Sequence, residues 1–214
     1  MDIACIDLEG VLAPEMWPYI GKTTGIAELK TTTREEPDYA RLMQHRLALL
    51  RRNALKLSDI QKIVANLKVF DGATDFLDEL GAQHRVIIVS DAFLEMARHF
   101  TQQLGNPEIQ CHRFNISTAG YINSCCYLPR LGKEETVHQL QSAGHSVLAV
   151  GDAFNDLAML RKAELGFLFK PSRQTQDAAR DIQVANNYSE VLSAAKLSIT
   201  SKIESRWEAS LQLA

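Results

Sequence analysis

The sequence contains few cysteines, and their spacing does not indicate a zinc site. Only four occur among the 214 residues, and none belongs to a CxxC pair, the spacing common in zinc sites. Cys125 and Cys126 are adjacent, so in a strand their side chains would point to opposite faces. Scattered thiols of this kind are typical of a reducing compartment, and we therefore expect a cytoplasmic location.

Long apolar runs and an excess of positive charge are also missing. A membrane-spanning helix needs about 20 apolar residues, and no run approaches that length. No basic flank or cleavage signal precedes the first predicted strand, so we expect no signal peptide. The net charge of −3 argues against nucleic acid or an anionic membrane as a partner. No repeat or low-complexity segment occurs, and a hydrophobic content of 46% is ordinary for a globular protein.

Short apolar runs alternate with helical patterns along most of the chain. This alternation predicts an α/β fold, a Rossmann-like parallel sheet flanked by helices with right-handed connections. A β-hairpin is predicted over 109–128, split near Ser117–Gly120. The predicted strands lie at 3–6, 85–90, 146–151, 166–169 and, as a short edge, 182–185.

A helical insertion separates the first two predicted strands. A short helix is expected near 26–30, and a longer pattern runs from Pro37 to Arg52, with Met43, Leu47 and Leu50 at helical spacing. Ser58 to Gln61 resembles a capping box that begins a further helix. We therefore predict a catalytic core formed by residues 1–13 and 71–214, with a helical cap inserted at 14–70.

Further helices are predicted in the core. Gly81, Gly105 and Gly144 are expected to end three of them in the C′ position. The tail is predicted to be helical, with an apolar stripe that would pack on the body or on a second subunit, so a homodimer is one expectation. The predicted spans are 73–80, 93–104, 133–143, 155–163 and 189–211, and the stripe comprises Ile199, Ile203 and Trp207.

Asp7, Glu9 and Gly10 follow the first predicted strand. Ligands of open parallel sheets bind at the carboxyl ends of the strands. Clustered carboxylates at such a position are costly unless a cation neutralises them. One of the two acids can serve as a nucleophile and the other as a proton shuttle, while a bend at Gly10 re-aims the second. The alternative is a solvated acidic loop.

Two later positions offer groups that suit an anion. Ser90 and Asp91 end the second core strand and provide a hydroxyl and backbone N–H groups for phosphate oxygens; the alternative is a simple helix cap. Lys133 begins a helix, where a cation gains nothing from the helix dipole. It therefore fits better facing an anion, although an isolated lysine is more often solvated.

The segment Gly151–Asp156 follows another predicted buried strand. Its acidic side chains could hold a hard cation, because Mg²⁺ binds one or two protein carboxylates together with phosphate and water. Asp7 and Asp152 are the natural pair of ligands for such an ion.

Taken in chain order, these segments resemble the four signature motifs of the haloacid dehalogenase superfamily over residues 3–169. The insertion is similar to the cap of the phosphoserine phosphatases. The segments DLEGVL, PDYARLM, KLSDIQ and GDAFND resemble the bifunctional phosphoserine phosphatase/homoserine phosphotransferase branch. Glu9 departs from the aspartate of the main superfamily, and that branch has the same glutamate.

The resemblance implies roles for the motif residues. Asp7 would form an aspartyl-phosphate, and Glu9 would transfer the proton. Mg²⁺ would be held by Asp7, the backbone carbonyl of Glu9 and Asp152, and Asp156 would orient Lys133 or a metal-bound water. The groups implied to bind phosphate are Ser90, the N–H of Asp91, Lys133 and Asn155.

The resemblance also assigns the amino-acid end of the substrate to the insertion. Arg46 lies on the same helical face as Met43, and its planar fork suits a carboxylate. Glu15 would pair with the substrate ammonium, and Met43 would line the pocket. The alternatives are a snorkelling arginine, a first-turn helix acid and an ordinary core methionine.

The expected function is a Mg²⁺-dependent phosphoserine phosphatase that also transfers phosphate to homoserine if that acceptor replaces water. One rival is a phosphatase of another small phosphomonoester. Two others are non-catalytic: a phospho-accepting receiver-like module and a phosphate-binding protein. Receiver modules are shorter, lack the helical insertion and carry the acceptor aspartate on a middle strand.

Overall fold

The computed structural model describes residues 2–33, 35–128 and 132–197, and a seven-stranded sheet forms its centre. The order is β4-β3-β2-β1-β5-β6-β7, and all neighbours are parallel except β3 and β4. This confirms the predicted α/β sheet and the hairpin. The strands are β1 Asp2–Ile6, β2 Arg85–Phe93, β3 Glu108–Ile116, β4 Ile122–Cys126, β5 Ser146–Gly151, β6 Leu165–Phe169 and β7 Gln183–Ala185.

Helices cover both faces of the sheet and form the segment between β1 and β2. In the described residues, no helix is long and apolar enough to cross a bilayer. The α-helices are α1 Met16–Thr24, α2 Tyr39–Arg52, α3 Leu57–Val64, α4 Ala73–Gly81, α5 Leu94–Gln103, α6 Lys133–Ser142, α7 Leu157–Lys162 and α8 Arg173–Ala178, with 3-10 turns at Ala27–Lys30 and Phe154–Asp156 and a further helical stretch at 188–197.

Strand β1 lies at the centre of the core. Ile3 and Cys5 belong to the apolar cluster on one face, whereas Ala4 and Ile6 belong to the cluster on the other, and all four are fully buried. A parallel strand covered on both faces carries apolar residues in succession. This explains the uninterrupted apolar run at the start of the sequence.

The chain reverses its direction of progress across the sheet at β1. Strands β2 and β3 are added on one side of β1, and β5, β6 and β7 on the other. In such sheets the crevice beyond the carboxyl ends of the strands at the reversal is the usual ligand site. The structure thus places the segments after β1 and β5 side by side.

Two helices were not predicted from sequence. Helix α1 contains Pro18 and two threonines, which are poor helix formers, and it is held by burial of Met16, Trp17 and Ile20. Helix α8 shows no apolar periodicity in the sequence, but it does carry an N-cap: Ser172 Oγ accepts a hydrogen bond from the N–H of Thr175.

Several predicted element ends were wrong. Helix α3 begins at Leu57, one residue before Ser58, and Asp59 accepts a hydrogen bond from the N–H of Lys56. Gly81 is the last residue of α4 rather than its C′ residue, since the N–H groups of residues 83 and 84 bond to Leu80 and close the helix in a tight turn.

Other boundaries differ less. Strand β2 extends to Phe93, so Ser90 and Asp91 lie within it, and the helix predicted at 155–163 is a 3-10 turn followed by α7. The tail is helical as far as 197; the stripe at Ile199, Ile203 and Trp207 lies outside the described residues. The division into core and cap at 14–70 remains a prediction.

Candidate active site

Asp7 and Asp152 lie together at the carboxyl ends of β1 and β5. The N–H of Asp7 donates to the carbonyl of Val150 at 2.9 Å, which continues the pairing of the two strands. Carboxylate oxygens of Asp7, Asp152 and Asp156 all lie within 4.8 Å of one another. The structure therefore brings together the two acids for which the sequence suggested a shared cation, with a third beside them.

Lys133 lies beneath this acidic cluster and is 2% exposed. Its Nζ lies 2.8 Å from Asp7 Oδ1 and 2.7 Å from Asp156 Oδ1. The other oxygen of Asp156 accepts the N–H groups of Asp152 and Ala153, at 2.9 and 3.0 Å. Because both Asp156 oxygens have these partners, Asp156 orients the lysine and the loop, and Asp7 and Asp152 are left as the carboxylates available to a cation.

The acidic cluster disfavours its own ionisation. Burial, reinforced by Asp156, holds the pKa of Asp7 well above its usual range, although Lys133 opposes this. Burial and Asp156 likewise raise the pKa of Asp152 to about 7. A hard divalent cation relieves such crowding, and carboxylate oxygens are the ligands that Mg²⁺ prefers. The donor set therefore fits Mg²⁺.

Gly10 allows Asp152 to approach the loop after β1. Its φ of +83° is a left-handed conformation, which residues other than glycine adopt only at an energetic cost. A Cβ at this position would also collide with the carboxylate of Asp152. Both the backbone conformation and the space require glycine here.

Glu9 points toward the start of α1. Its Oε1 accepts the N–H of Met16 at 2.6 Å, which is one of the unpaired amides at a helix N-terminus. Burial raises the pKa of Glu9 to about 7, even though this hydrogen bond and the charges of Arg46 and Lys133 lower it. A carboxyl with a pKa near neutrality is suited to both giving and taking a proton.

Ser90 and Asp91 lie in β2, and the Asp91 carboxylate contacts both Asn155 and Lys133. Ser90 is buried, and its Oγ accepts the N–H of Ala92 at 3.1 Å. The side chain of Asp91 is 33% exposed; its Oδ2 accepts from Asn155 Nδ2 at 2.7 Å and lies 3.8 Å from Lys133 Nζ. The sequence suggested only the N–H of Asp91 as a ligand, whereas the structure also places its carboxylate next to two proposed phosphate donors, Asn155 and Lys133.

Arg46 is buried on α2, with 5% of its surface exposed. Its Nη2 donates to the carbonyl of Thr31 at 2.8 Å, its Nη1 lies 3.5 Å from the sulfur of the fully buried Met43, and the guanidinium stacks over Trp17 at 4.6 Å. Its Nε is buried and has no hydrogen-bond partner among the described residues. Glu15 is exposed, and its negative charge opposes the lowering of the Arg46 pKa by burial.

Two residues near Asp91 were missed in the sequence. The hydroxyl of Tyr39 donates to the backbone carbonyl of Asp91 at 2.6 Å, and His112 Nε2 lies 3.6 Å from Asp91 Oδ1. Tyr39 begins α2 and His112 lies within β3. Their spacing carries no signal, because the contacts join segments that are distant in the chain.

Comparison with known proteins gives a consistent match. A sequence profile of the haloacid dehalogenase-like hydrolase family matches residues 1–164. The chain is 42% identical over 169 residues to "Phosphoserine phosphatase ThrH" of Pseudomonas aeruginosa, covering 79% of this chain and 82% of the relative. It is 40% identical over 169 residues to a phosphoserine phosphatase of Pseudomonas syringae pv. tomato, covering 79% and 71%.

Solved structures support the same fold. A phospho-aspartyl intermediate analogue of phosphoserine phosphatase superposes with a TM-score of 0.74 at 20% identity, covering 90% of this chain and 98% of the other. Phosphoserine phosphatase from T. onnurineus gives a TM-score of 0.72 at 20% identity, covering 91% and 94%. The predicted family resemblance and fold are thus confirmed.

Proposed function

Because this chain belongs to the haloacid dehalogenase-like hydrolase family, we propose that it is a Mg²⁺-dependent phosphoserine phosphatase acting through an aspartyl-phosphate on Asp7. The observation that carries the proposal is the position of Asp7: Lys133 bonds one of its oxygens, and Asp152 lies beside it at the carboxyl ends of β1 and β5. The choice of phosphoserine as the substrate comes from the names of the two Pseudomonas relatives.

Asp7 is arranged to attack phosphorus. Its Oδ1 accepts the N–H of Leu8 and contacts Lys133, both at 2.8 Å. Among the described residues, no hydrogen bond engages Oδ2, which is therefore the nucleophilic oxygen. The bond from Oδ2 to phosphorus forms as the bond from phosphorus to the serine oxygen breaks.

A Mg²⁺ ion held by the side chains of Asp7 and Asp152 and by the backbone carbonyl of Glu9 would supply positive charge between phosphate and nucleophile. Asp156 acts indirectly, by fixing Lys133 and the loop that carries Asp152.

Glu9 moves the proton in both halves of the reaction. In the first it gives its proton to the departing serine oxygen, and in the second it takes a proton from the attacking water as the bond between phosphorus and Asp7 breaks. Its pKa of about 7 makes both protonation states accessible near neutral pH.

The phosphate oxygens would be held by donors from β2, from the loop after β5 and from the start of α6. Ser90 Oγ, the Asp91 N–H, Lys133 Nζ and the Asn155 amide would donate to them as charge shifts in the transition state. Lys133 is fixed before substrate arrives, because it is buried and bonded to two carboxylates.

The amino-acid end of the substrate would be recognised by the helical segment. The unpartnered Nε of Arg46 is a buried donor, and leaving such a donor unpaired costs about 1–3 kcal/mol. A substrate carboxylate would satisfy it, Glu15 would meet the ammonium group, and Met43 would line the pocket.

Homoserine transfer is the second part of the proposal. If the hydroxyl of homoserine replaces water in the second half, Glu9 takes its proton and phosphohomoserine leaves. The name of the P. aeruginosa relative motivates this test. We further propose that the protein acts in the cytoplasm, as its four free cysteines suggest, and the homodimer remains an expectation.

A panel of phosphomonoesters with Mg²⁺, with and without homoserine, tests the proposal by phosphate release and by phosphohomoserine formed. We expect phosphoserine to be the best substrate and Asp7→Asn to abolish release, while Asp78→Asn on the exposed side of α4 leaves it unchanged. Preference for a sugar phosphate, or release that survives Asp7→Asn, would refute the assignment.

Arg46→Ala separates amino-acid recognition from phosphate chemistry. We expect kcat/KM for phosphoserine to fall roughly 10- to 100-fold, the value of a lost charged hydrogen bond, while a generic aryl phosphate is hydrolysed as before. Equal losses on both substrates would count against a carboxylate-binding role.

A further inference from the structure

The side chain of Asp91 is an unexpected group in a phosphate site. Its Oδ2 accepts from Asn155 Nδ2 at 2.7 Å and lies 3.8 Å from Lys133 Nζ. These are two of the donors that the proposed function assigns to the substrate phosphate. A carboxylate and a phosphate oxygen are both anionic acceptors, so they compete for the same N–H groups.

His112 lies near the other oxygen of the Asp91 carboxylate. Asp91 Oδ1 lies 3.6 Å from His112 Nε2. Burial lowers the pKa of His112 despite the nearby Asp91, so the ring is neutral near pH 7. His112 Nδ1 lies 3.0 Å from both the backbone nitrogen and the carbonyl oxygen of Leu128. In the tautomer in which Nδ1 accepts from the Leu128 N–H, the ring proton is on Nε2 and faces Asp91.

The surroundings of His112 fix the ring. It is 5% exposed, and its centroid lies 5.1 Å from that of Tyr127 and 5.4 Å from that of Phe93. Tyr39 anchors the Asp91 main chain through the backbone carbonyl. The carboxylate therefore has a defined position, set by residues of α2, β3 and the segment after β4.

We propose that the Asp91 carboxylate is a resident anion that competes with phosphate for Asn155 and Lys133, and that His112 is the residue that positions it. The inference rests on the proposed function, since it assigns Asn155 and Lys133 to phosphate. When phosphate enters, Asn155 exchanges its carboxylate acceptor for a phosphate oxygen, and the Asp91 charge repels the new anion. The consequence is weak retention of the inorganic phosphate released by hydrolysis.

Asp91→Asn tests the charge directly, because asparagine keeps the size of the side chain and an oxygen acceptor for Asn155. We expect the Kd for inorganic phosphate, measured by calorimetry with Mg²⁺, to fall about tenfold, a change equal to about 1.4 kcal/mol. The KM values for phosphoserine and an aryl phosphate should fall together, because the phosphate is common to both. Asp78→Asn, which removes a distant exposed charge, should leave all three values unchanged.

His112→Phe tests the positioning role, because phenylalanine keeps the ring packing and removes the donor. We expect the phosphate Kd to fall two- to threefold in the otherwise unchanged protein and not to change further in the Asp91→Asn background. This double-mutant cycle isolates the coupling between His112 and Asp91. His112→Gln, which retains an N–H donor, should stay closer to the unaltered protein. Thermal unfolding checks that each variant is folded.

Three outcomes would overturn the inference. An unchanged or higher phosphate Kd in folded Asp91→Asn would show that Asp91 does not compete with phosphate. An equal effect of His112→Phe with and without Asp91 would show that His112 does not act by positioning Asp91. A higher KM for phosphoserine alone assigns Asp91 to the substrate ammonium instead. The calorimetric titration measures phosphate binding without turnover, so it tests this inference even if phosphoserine is not the substrate. The substrate panel tests the phosphoserine assignment separately.

Discussion

Gly10 is the residue at which backbone conformation and site geometry are most tightly linked. With φ of +83° and the Asp152 carboxylate packed against it, an added methyl group acts twice. It strains the backbone by about 1–2 kcal/mol, and it also displaces a proposed metal ligand.

Gly10→Ala is therefore expected to weaken Mg²⁺ binding at least tenfold and to lower kcat/KM, as measured by calorimetric titration and turnover. Gly144→Ala is the matched control, because Gly144 has the same φ of +83° with nothing within 4 Å of an added Cβ. Both variants should lose similar backbone stability in urea unfolding. If both also keep full Mg²⁺ affinity, the contact with Asp152 has no part in metal binding.

Single residues also show what the sequence could and could not provide. Asp7, Lys133 and Asp152 could be predicted as site residues because each follows or begins an element whose pattern is clear. His112 could not, because its contact with Asp91 joins β3 to the end of β2, and nothing local to either residue indicates it.

At the level of elements, a tyrosine connects the helical stretch at 188–197 to the loop after β1. The hydroxyl of Tyr188 donates to the carbonyl of Val11 at 2.7 Å, and its ring stacks on Phe76 and Phe169. The loop that carries Glu9 and Gly10 is thus supported from a segment late in the chain.

Tyr188→Phe removes this hydrogen bond and keeps the stacking. We expect the free energy of unfolding to fall by about 1–2 kcal/mol, since the Val11 carbonyl loses its partner, and kcat to fall several-fold as the loop loosens. Chemical denaturation and steady-state kinetics measure the two effects. Unchanged kcat in a destabilised variant would restrict Tyr188 to a purely structural role.

The start of α3 offers a test of a corrected prediction. Asp59 accepts the N–H of Lys56 at 3.0 Å, so Asp59→Ala should cost about 0.5–1 kcal/mol, as the loss of a helix-terminal hydrogen bond does. Ser58→Ala, at the residue that the pattern favoured as the cap, should change stability by less than about 0.5 kcal/mol. A larger loss from Ser58→Ala would restore the sequence-based assignment.

Element types were predictable where burial is strong and regular. Strands β1 and β5 were located from their short apolar runs, and β5 was predicted with its observed bounds. Helix α1 was not predicted, because Pro18 and its threonines have low helix propensity and the helix is stabilised by packing against the rest of the molecule. Element ends were also difficult, since they depend on single hydrogen bonds such as that of Asp59.

For the whole molecule, the buried acids couple stability to pH. The pKa of Glu9 and that of Asp152 are each raised to about 7 from 4.5 and 3.8. Between about pH 4 and 7 the folded state therefore binds more protons than the unfolded state, so the free energy of unfolding falls as pH rises. Above about pH 8 both groups are ionised in either state, and the loss is complete.

We expect the metal-free protein to lose on the order of 5 kcal/mol between pH 5 and 8 from these two groups, measured by urea unfolding with a chelator. Mg²⁺ should restore stability more at pH 8 than at pH 6, because its ligands must be deprotonated. Asp152→Asn should flatten the pH dependence, whereas Asp78→Asn should not. An identical slope in the Asp152→Asn variant would contradict the linkage.

The placement of β1 between β2 and β5 also affects how the protein is made. During translation β5, which starts at residue 146, emerges long after β1, which ends at residue 6, so one edge of the fully buried run Ile3–Ile6 has no native neighbour until then. An exposed apolar edge is prone to pair with other chains. The nascent chain is therefore most in need of a chaperone at that stage, and substitutions that weaken β5 should reduce the yield of soluble protein before they affect turnover.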